Sequence, residues 1–204
     1  MRICVCARHT HTCTCARAPR KCLLQVGHES GESPRQPPLH PDVFEAHLAS
    51  KHFTSDKADR PLVSWLYRIT VSSVLGGSQI LRYGLSRWGP HEFVTLGSVL
   101  PLCTQLQQLR LSNNAGGDTM VQVLLAAARE HGALQSLSEL DIHNNGVTDD
   151  GIAALSAALS DPQVMPQLTQ LGSVGNKASE ASLDALDDVC ARRMVLLDRW
   201  RPII

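Results

Sequence analysis

Leu106-Gln-Gln-Leu109-Arg-Leu111-Ser-Asn-Asn114 is followed 31 residues later by Leu137-Ser-Glu-Leu140-Asp-Ile142-His-Asn-Asn145. After another 31 residues comes Leu168-Thr-Gln-Leu171-Gly-Ser173-Val-Gly-Asn176. Three copies in constant register mark an internal repeat, L-x-x-L-x-L-x-x-N. The middle of each copy reads as a short strand. Strand side chains alternate between faces, so Leu109 and Leu111 point into the core while Gln108, Arg110 and Ser112 point the other way. Asn114, Asn145 and Asn176 then fall where the chain must turn inside the stack. Buried backbone there needs partners, and an amide side chain both donates and accepts.

A helical pattern follows each copy. The first runs from about Asp118 to Arg129 with Val121, Leu124 and Leu125 inward. The second runs from Asp149 to Leu159 with Ile152, Leu155 and Leu159 inward, and the third from Ser179 to Cys190 with Leu183 and Leu186 inward. Acidic or hydroxyl residues open each one, as helix caps do.

The spacing resembles that of leucine-rich repeat proteins of the ribonuclease-inhibitor-like class, in which each strand is paired with a full α-helix. Leu137 through Asn145-Gly-Val-Thr-Asp-Asp-Gly-Ile152 is the best match. The period of 31 is a few residues longer than that class usually shows, and the surplus is expected between helix and strand, near Asp161-Pro162 and Pro166. Ser173 replaces a core leucine, and Gly116 and Ala178 stand where Val147 keeps an aliphatic residue. The resemblance covers residues 93–190. It implies an α/β fold: a short leucine-rich repeat solenoid with a curved parallel sheet inside and α-helices outside.

Outside the repeats the chain changes character. Residues 1–41 hold five of the seven cysteines, then a Gly/Ser/Pro-rich stretch, and read as a low-complexity, disordered tail and linker. Residues 42–92 read as an N-terminal cap or degenerate repeat, and 191–204 as a C-terminal cap with Val195, Leu196, Leu197 and Trp200. Asp42 and Glu45 form a helix-start signal, with Val43, Phe44, His47 and Leu48 on one face. Phe93, Leu96 and Leu100 fit the outer helix of an earlier repeat. Its strand is expected within 66–83, either on Leu66, Ile69 and Val71 or on Leu75 and Ile80 at the 31-residue offset.

Composition narrows the function. The 204 residues carry 19 basic and 19 acidic side chains, which argues against a whole-chain electrostatic grip on nucleic acid or an anionic membrane. No apolar run is long enough to span a bilayer. None of the eight aromatics lies between Val94 and Arg199, a stretch with nineteen leucines, so the core is one aliphatic residue used repeatedly.

The resemblance implies a surface rather than a reaction: a non-catalytic module that binds a partner protein through its concave sheet. The residues expected there form three ladders: Gln108, Glu139 and Gln170; Arg110, Asp141 and Gly172; Ser112, His143 and Val174. Arg110 can pair laterally with Asp141 or diagonally with Glu139, as an exposed ion pair worth roughly 0–1 kcal/mol. The partner is expected to be a protein, neither nucleic acid nor membrane. The chain is expected to be a cytoplasmic monomer without a cofactor, with an organellar transit peptide over residues 1–28 as the alternative.

Ran GTPase-activating proteins use the same kind of repeat, which makes a GTPase regulator with an exposed Asn113 or Asn144 the first alternative function. The second is metal binding by the tract Cys4, Cys6, His9, His11, Cys13, Cys15 and Cys22, although C-x-C spacing and simple alternation weigh against a zinc site, and none is assigned. Asp141 and His143 together suggest acid–base chemistry, but an open sheet face favours a solvated ladder. The sequence Asp141-x-His143-x-Asn145-Gly146 opens like a calcium loop, yet Ile152 stands where the bidentate acid is required. Cys103 and Cys190 sit in aliphatic surroundings and read as buried thiols.

Overall fold

A computed structural model describes residues 35–198 with the exception of residue 131. The Cys/His tract, the proposed tail up to residue 34 and the end of the proposed C-terminal cap, Trp200 included, lie outside the described residues.

Among these, two helices come first, α1 (Pro41–Leu48) and α2 (Asp56–Gly76). Then strands and helices alternate: β1 (Ile80–Arg82), α3 (Pro90–Val99), β2 (Gln108–Arg110), α4 (Gly117–Glu130), β3 (Glu139–Asp141), α5 (Asp149–Leu159), β4 (Gln170–Gly172), α6 (Glu180–Arg192) and β5 (Leu196–Asp198). The five strands form one parallel sheet in the order β1-β2-β3-β4-β5, so neighbours in sequence are neighbours in space. The helices follow suit, α3 packing on α4, α4 on α5 and α5 on α6.

The core lies between sheet and helices. Leu81, Leu109, Leu140 and Leu171 form one fully buried row, each at the centre of its strand. Leu106, Leu137 and Leu168 form a second row, and Tyr83, Leu111, Ile142 and Ser173 a third. Each fully buried leucine contributes about 1.5–3 kcal/mol of transfer free energy. From the helices Phe93, Leu96, Leu124, Ile152, Leu155 and Leu186 close the other side.

The sequence departures have local compensations. A Cβ on Gly116 would overlap the Phe93 ring and Met120, so an aromatic of the preceding helix, α3, occupies the space that Val147 fills one repeat later. Phe93 in turn meets Trp88 edge-on at 5.8 Å, and Trp88 lies 4.6 Å from Tyr83. Ser173 is buried in its leucine slot with no hydrogen-bond partner for its hydroxyl. Helix starts are tied across repeats: Asp118 accepts from the Thr148 N–H (2.8 Å) and hydroxyl (2.6 Å), and Asp149 from the Ser179 N–H (2.6 Å).

Three expectations are corrected. Neither register foreseen for the first strand holds: Leu66, Ile69 and Val71 are helical, and Ile80 pairs with Gln108 on the outward positions. Leu81 and Tyr83 are the inward pair, which makes the β1–β2 offset 28 residues rather than 31. The extra length lies within the helix for the unit of α4, which has 14 residues where α3 has 10, whereas α5 has 11 and its unit carries the surplus mainly in the connection near Pro162, as expected.

Helix α1 starts at Pro41, one residue before the expected signal, because His40 caps it and proline is preformed for the first helical position. Val43 faces outward; Leu48 is buried, and Phe44 stacks on Tyr67 at 3.7 Å. Arg68 of α2 holds both Asp42 and Glu45 (2.6 and 3.1 Å). Leu196–Asp198, expected only as part of a cap, adds a fifth strand to the sheet.

Candidate functional site

The strand register fixes which side chains share the sheet face opposite the helices. Gln108, Glu139 and Gln170 stand in one row, and Arg110, Asp141 and Gly172 in the next. Ser112, His143 and Val174 follow two residues further along their strands. The three ladders read from the sequence are thus spatial rows, about 4.8 Å from strand to strand.

The charges in these rows are not solvated in the way expected. Arg110 clasps Glu139 diagonally, Nε to Oε1 at 2.9 Å and Nη2 to Oε2 at 3.3 Å. The Glu139 side chain keeps only 12% of its surface, so this is a half-desolvated bidentate pair rather than an exposed one. Asp141 is turned the other way. It accepts from His143 Nδ1 and from the His143 backbone N–H (3.1 Å), and the Ser112 hydroxyl also bonds to it.

His143 is buried, and its Nε2 has no partner among the described residues. The cause is next door. A Cβ on Gly172 would overlap the imidazole, so the ring lies over the one position in its row that has no side chain. Burial pushes the Asp141 carboxyl up, but the hydrogen bonds from His143 and Ser112 and the histidine's charge pull it further down, to below the ordinary carboxylate value. In this cluster the carboxylate stands between serine and imidazole. A nucleophile relay needs the imidazole in the middle, so the arrangement fixes the histidine without placing a hydroxyl on it.

The asparagines do the work that the turn requires. Asn114 Nδ2 donates to the carbonyls of Tyr83 and Leu111, both at 2.8 Å, and its Oδ1 accepts from the Trp88 N–H. Asn145 Nδ2 donates to Leu111, Ile142 and His143 carbonyls at 2.9–3.1 Å. Asn176 Nδ2 donates to Ile142 and Ser173, and its Oδ1 accepts from the N–H groups of Asn145 and Val147. Each amide therefore binds its own strand end and that of the preceding repeat.

One residue earlier runs a rim of left-handed positions: Leu85, Asn113, Asn144 and Gly175, with φ between 52° and 73°. Asn144 Nδ2 donates to Asn113 Oδ1 (2.9 Å) along this rim, so the two exposed asparagines hold each other. Glycine and asparagine suit this backbone, whereas leucine does not.

Sequence reasoning missed Arg82, Gly84 and Leu85 because the first strand was set three residues out of register. At an offset of 28, Leu81 and Tyr83 align with Leu109 and Leu111, and Arg82 joins the row of Arg110 and Asp141. The Ser112–Asp141 bond was missed as well, although strand alternation places both on one face.

Cys103 and Cys190 are buried, and burial pushes their thiols up to about 12 and about 11. Such thiols stay protonated and unreactive at neutral pH. Among the described residues no group of three or more His, Cys, Asp or Glu side chains is placed to hold a metal, and no helix is long and apolar enough to cross a membrane. No protein-family model and no curated protein matches the chain.

Proposed function

We propose that the chain is a leucine-rich repeat protein of the ribonuclease-inhibitor-like class and serves as a non-catalytic protein-binding module. Its strand–helix units form a short solenoid, and the partner protein docks on the concave sheet face that carries Gln108, Arg110, Ser112, Glu139, Asp141, His143, Gln170 and Val174. The observation that carries this reading is the asparagine ladder. Asn114, Asn145 and Asn176 each bridge the carbonyl ends of two successive strands, so the L-x-x-L-x-L-x-x-N spacing coincides with a stacking bond between neighbouring units. Solenoids of this kind present the outward strand positions as an extended binding surface.

Affinity capture with the whole chain tests the reading. The informative variant changes Gln108, Arg110 and Gln170 together to alanine, because these side chains are at least partly exposed while Glu139 and His143 support the fold. A partner captured by the wild type and lost from a folded triple variant is the expected result. A partner retained by that variant refutes the concave-face assignment.

A further inference from the structure

We infer that the β1 end of this sheet face takes an acidic, extended segment of a partner protein, with a carboxylate on Arg82 and an apolar side chain on Leu85. The inference rests on the reading of the face as a protein-binding surface and names the chemistry of what binds there.

Two independent observations meet at this end. The first is charge. Arg82 and Arg110 are in register on neighbouring strands. Like charges directly opposite one another are unfavourable, and a sheet normally avoids or neutralises them. Arg110 is neutralised by Glu139. Arg82 is exposed and has no hydrogen bond or ion pair among the described residues. Gly84 follows it on the same face and contributes no side chain to crowd an incoming group. An anion arriving there meets one free guanidinium and the flank of a second.

The second observation is backbone. Leu85 occupies the rim position where the later repeats have Asn113, Asn144 and Gly175. Its φ is 60°, a conformation that leucine disfavours, and 63% of its surface is exposed. A large apolar side chain left mostly in solvent on a left-handed backbone gains little from burial in the fold, and such outliers point to a contact with something else. It lies three positions after Arg82. An extended segment covers that span with side chains two or three positions apart, since each residue advances about 3.3 Å.

The surroundings select a carboxylate-bearing peptide over a nucleic acid. Glu139 and Asp141 stand on the same face beside the arginines. A phosphodiester backbone needs a row of cations, and with Arg110 already paired to Glu139 these strand positions offer Arg82 alone, which suits a single carboxylate.

The experiment uses the full chain and a fluorescein-labelled peptide, Glu-Glu-Leu-Glu-Glu-Leu, read by fluorescence anisotropy. Its lysine counterpart and a single-stranded oligonucleotide serve as competitors. The acidic peptide is expected to bind, with affinity falling as salt rises. Arg82→Glu should weaken it at least tenfold, and Leu85→Asn several-fold while leaving the melting temperature equal or higher, which a purely structural leucine would not do. Gln122→Ala, exposed on the outer helix α4, should leave binding unchanged. Absence of binding, equal binding by Arg82→Glu, or tighter binding of the oligonucleotide overturns the inference. If a captured partner is nonetheless lost from the Gln108/Arg110/Gln170 variant, the surface reading stands and only the acidic-segment assignment falls.

Discussion

At the scale of single residues, Asn145 and Asp141 show how much one polar side chain can decide. Asn145 is 1% exposed, and its Nδ2 serves three carbonyls from two strands. Alanine there leaves buried carbonyls without a donor, at about 1–3 kcal/mol for each group left unsatisfied. Asn145→Ala should therefore lower unfolding stability by about 2–4 kcal/mol in a urea titration, well above the loss for Asn113→Ala on the exposed rim. Asp141 makes a prediction about acid. Its carboxyl lies below the ordinary value when folded, since hydrogen bonds from His143 and Ser112 outweigh burial. A group of that kind contributes stability above its unfolded value, near 4, and loses the contribution as pH falls through the folded value. Asp141→Asn should be less stable than wild type at pH 7 and should show a flatter decline below about pH 4. Parallel declines of the two proteins would remove Asp141 as a source of the acid sensitivity.

At the scale of elements, the connections matter as much as the strands. Arg193, just past α6, donates Nη1 to the carbonyls of Leu159 and Val164 (3.1 and 3.0 Å) and Nη2 to that of Met165 (2.9 Å). It closes the end of α5 and the loop that follows, where helix carbonyls have no partner in their own helix. Arg193→Met keeps the aliphatic stem and removes the three bonds. It should cost about 2–3 kcal/mol, taking hydrogen bonds from a charged donor as the guide. The loss should appear first as faster amide exchange between residues 160 and 168, and uniform acceleration across the chain would count against a local role. The legibility of elements in the sequence divides along similar lines. β2, β3 and β4 could be read because each inward leucine fills a slot of fixed size, and three copies repeat the spacing. β1 could not, because Ser78, Tyr83 and Ser86 replace the leucines and the asparagine at the matching positions, and the shorter α3 shifts the offset to 28. The sheet-face positions were legible, but their burial was not. That depended on Gly172, whose missing side chain gives His143 a place to lie.

At the scale of the whole molecule, a sheet whose strand order equals its sequence order distributes stability unevenly. Each unit touches only its neighbours, so a central strand is held from both sides and an end strand from one. Leu140 sits on β3 with β2 and β4 on either side and is 1% exposed. Leu197 sits on β5, paired on one edge by β4, and is only half-buried. A carboxylate at either position has no cation in the core to pair with, so its cost follows the depth of burial. Leu140→Asp should cost more than a marginally stable domain of this size can lose, and its thermal transition should vanish. Leu197→Asp should keep a cooperative transition at lower temperature, with lost exchange protection confined to β5 and the end of α6. If the two variants lose structure alike, the chain folds as one indivisible unit, and the neighbour-by-neighbour account of its stability fails.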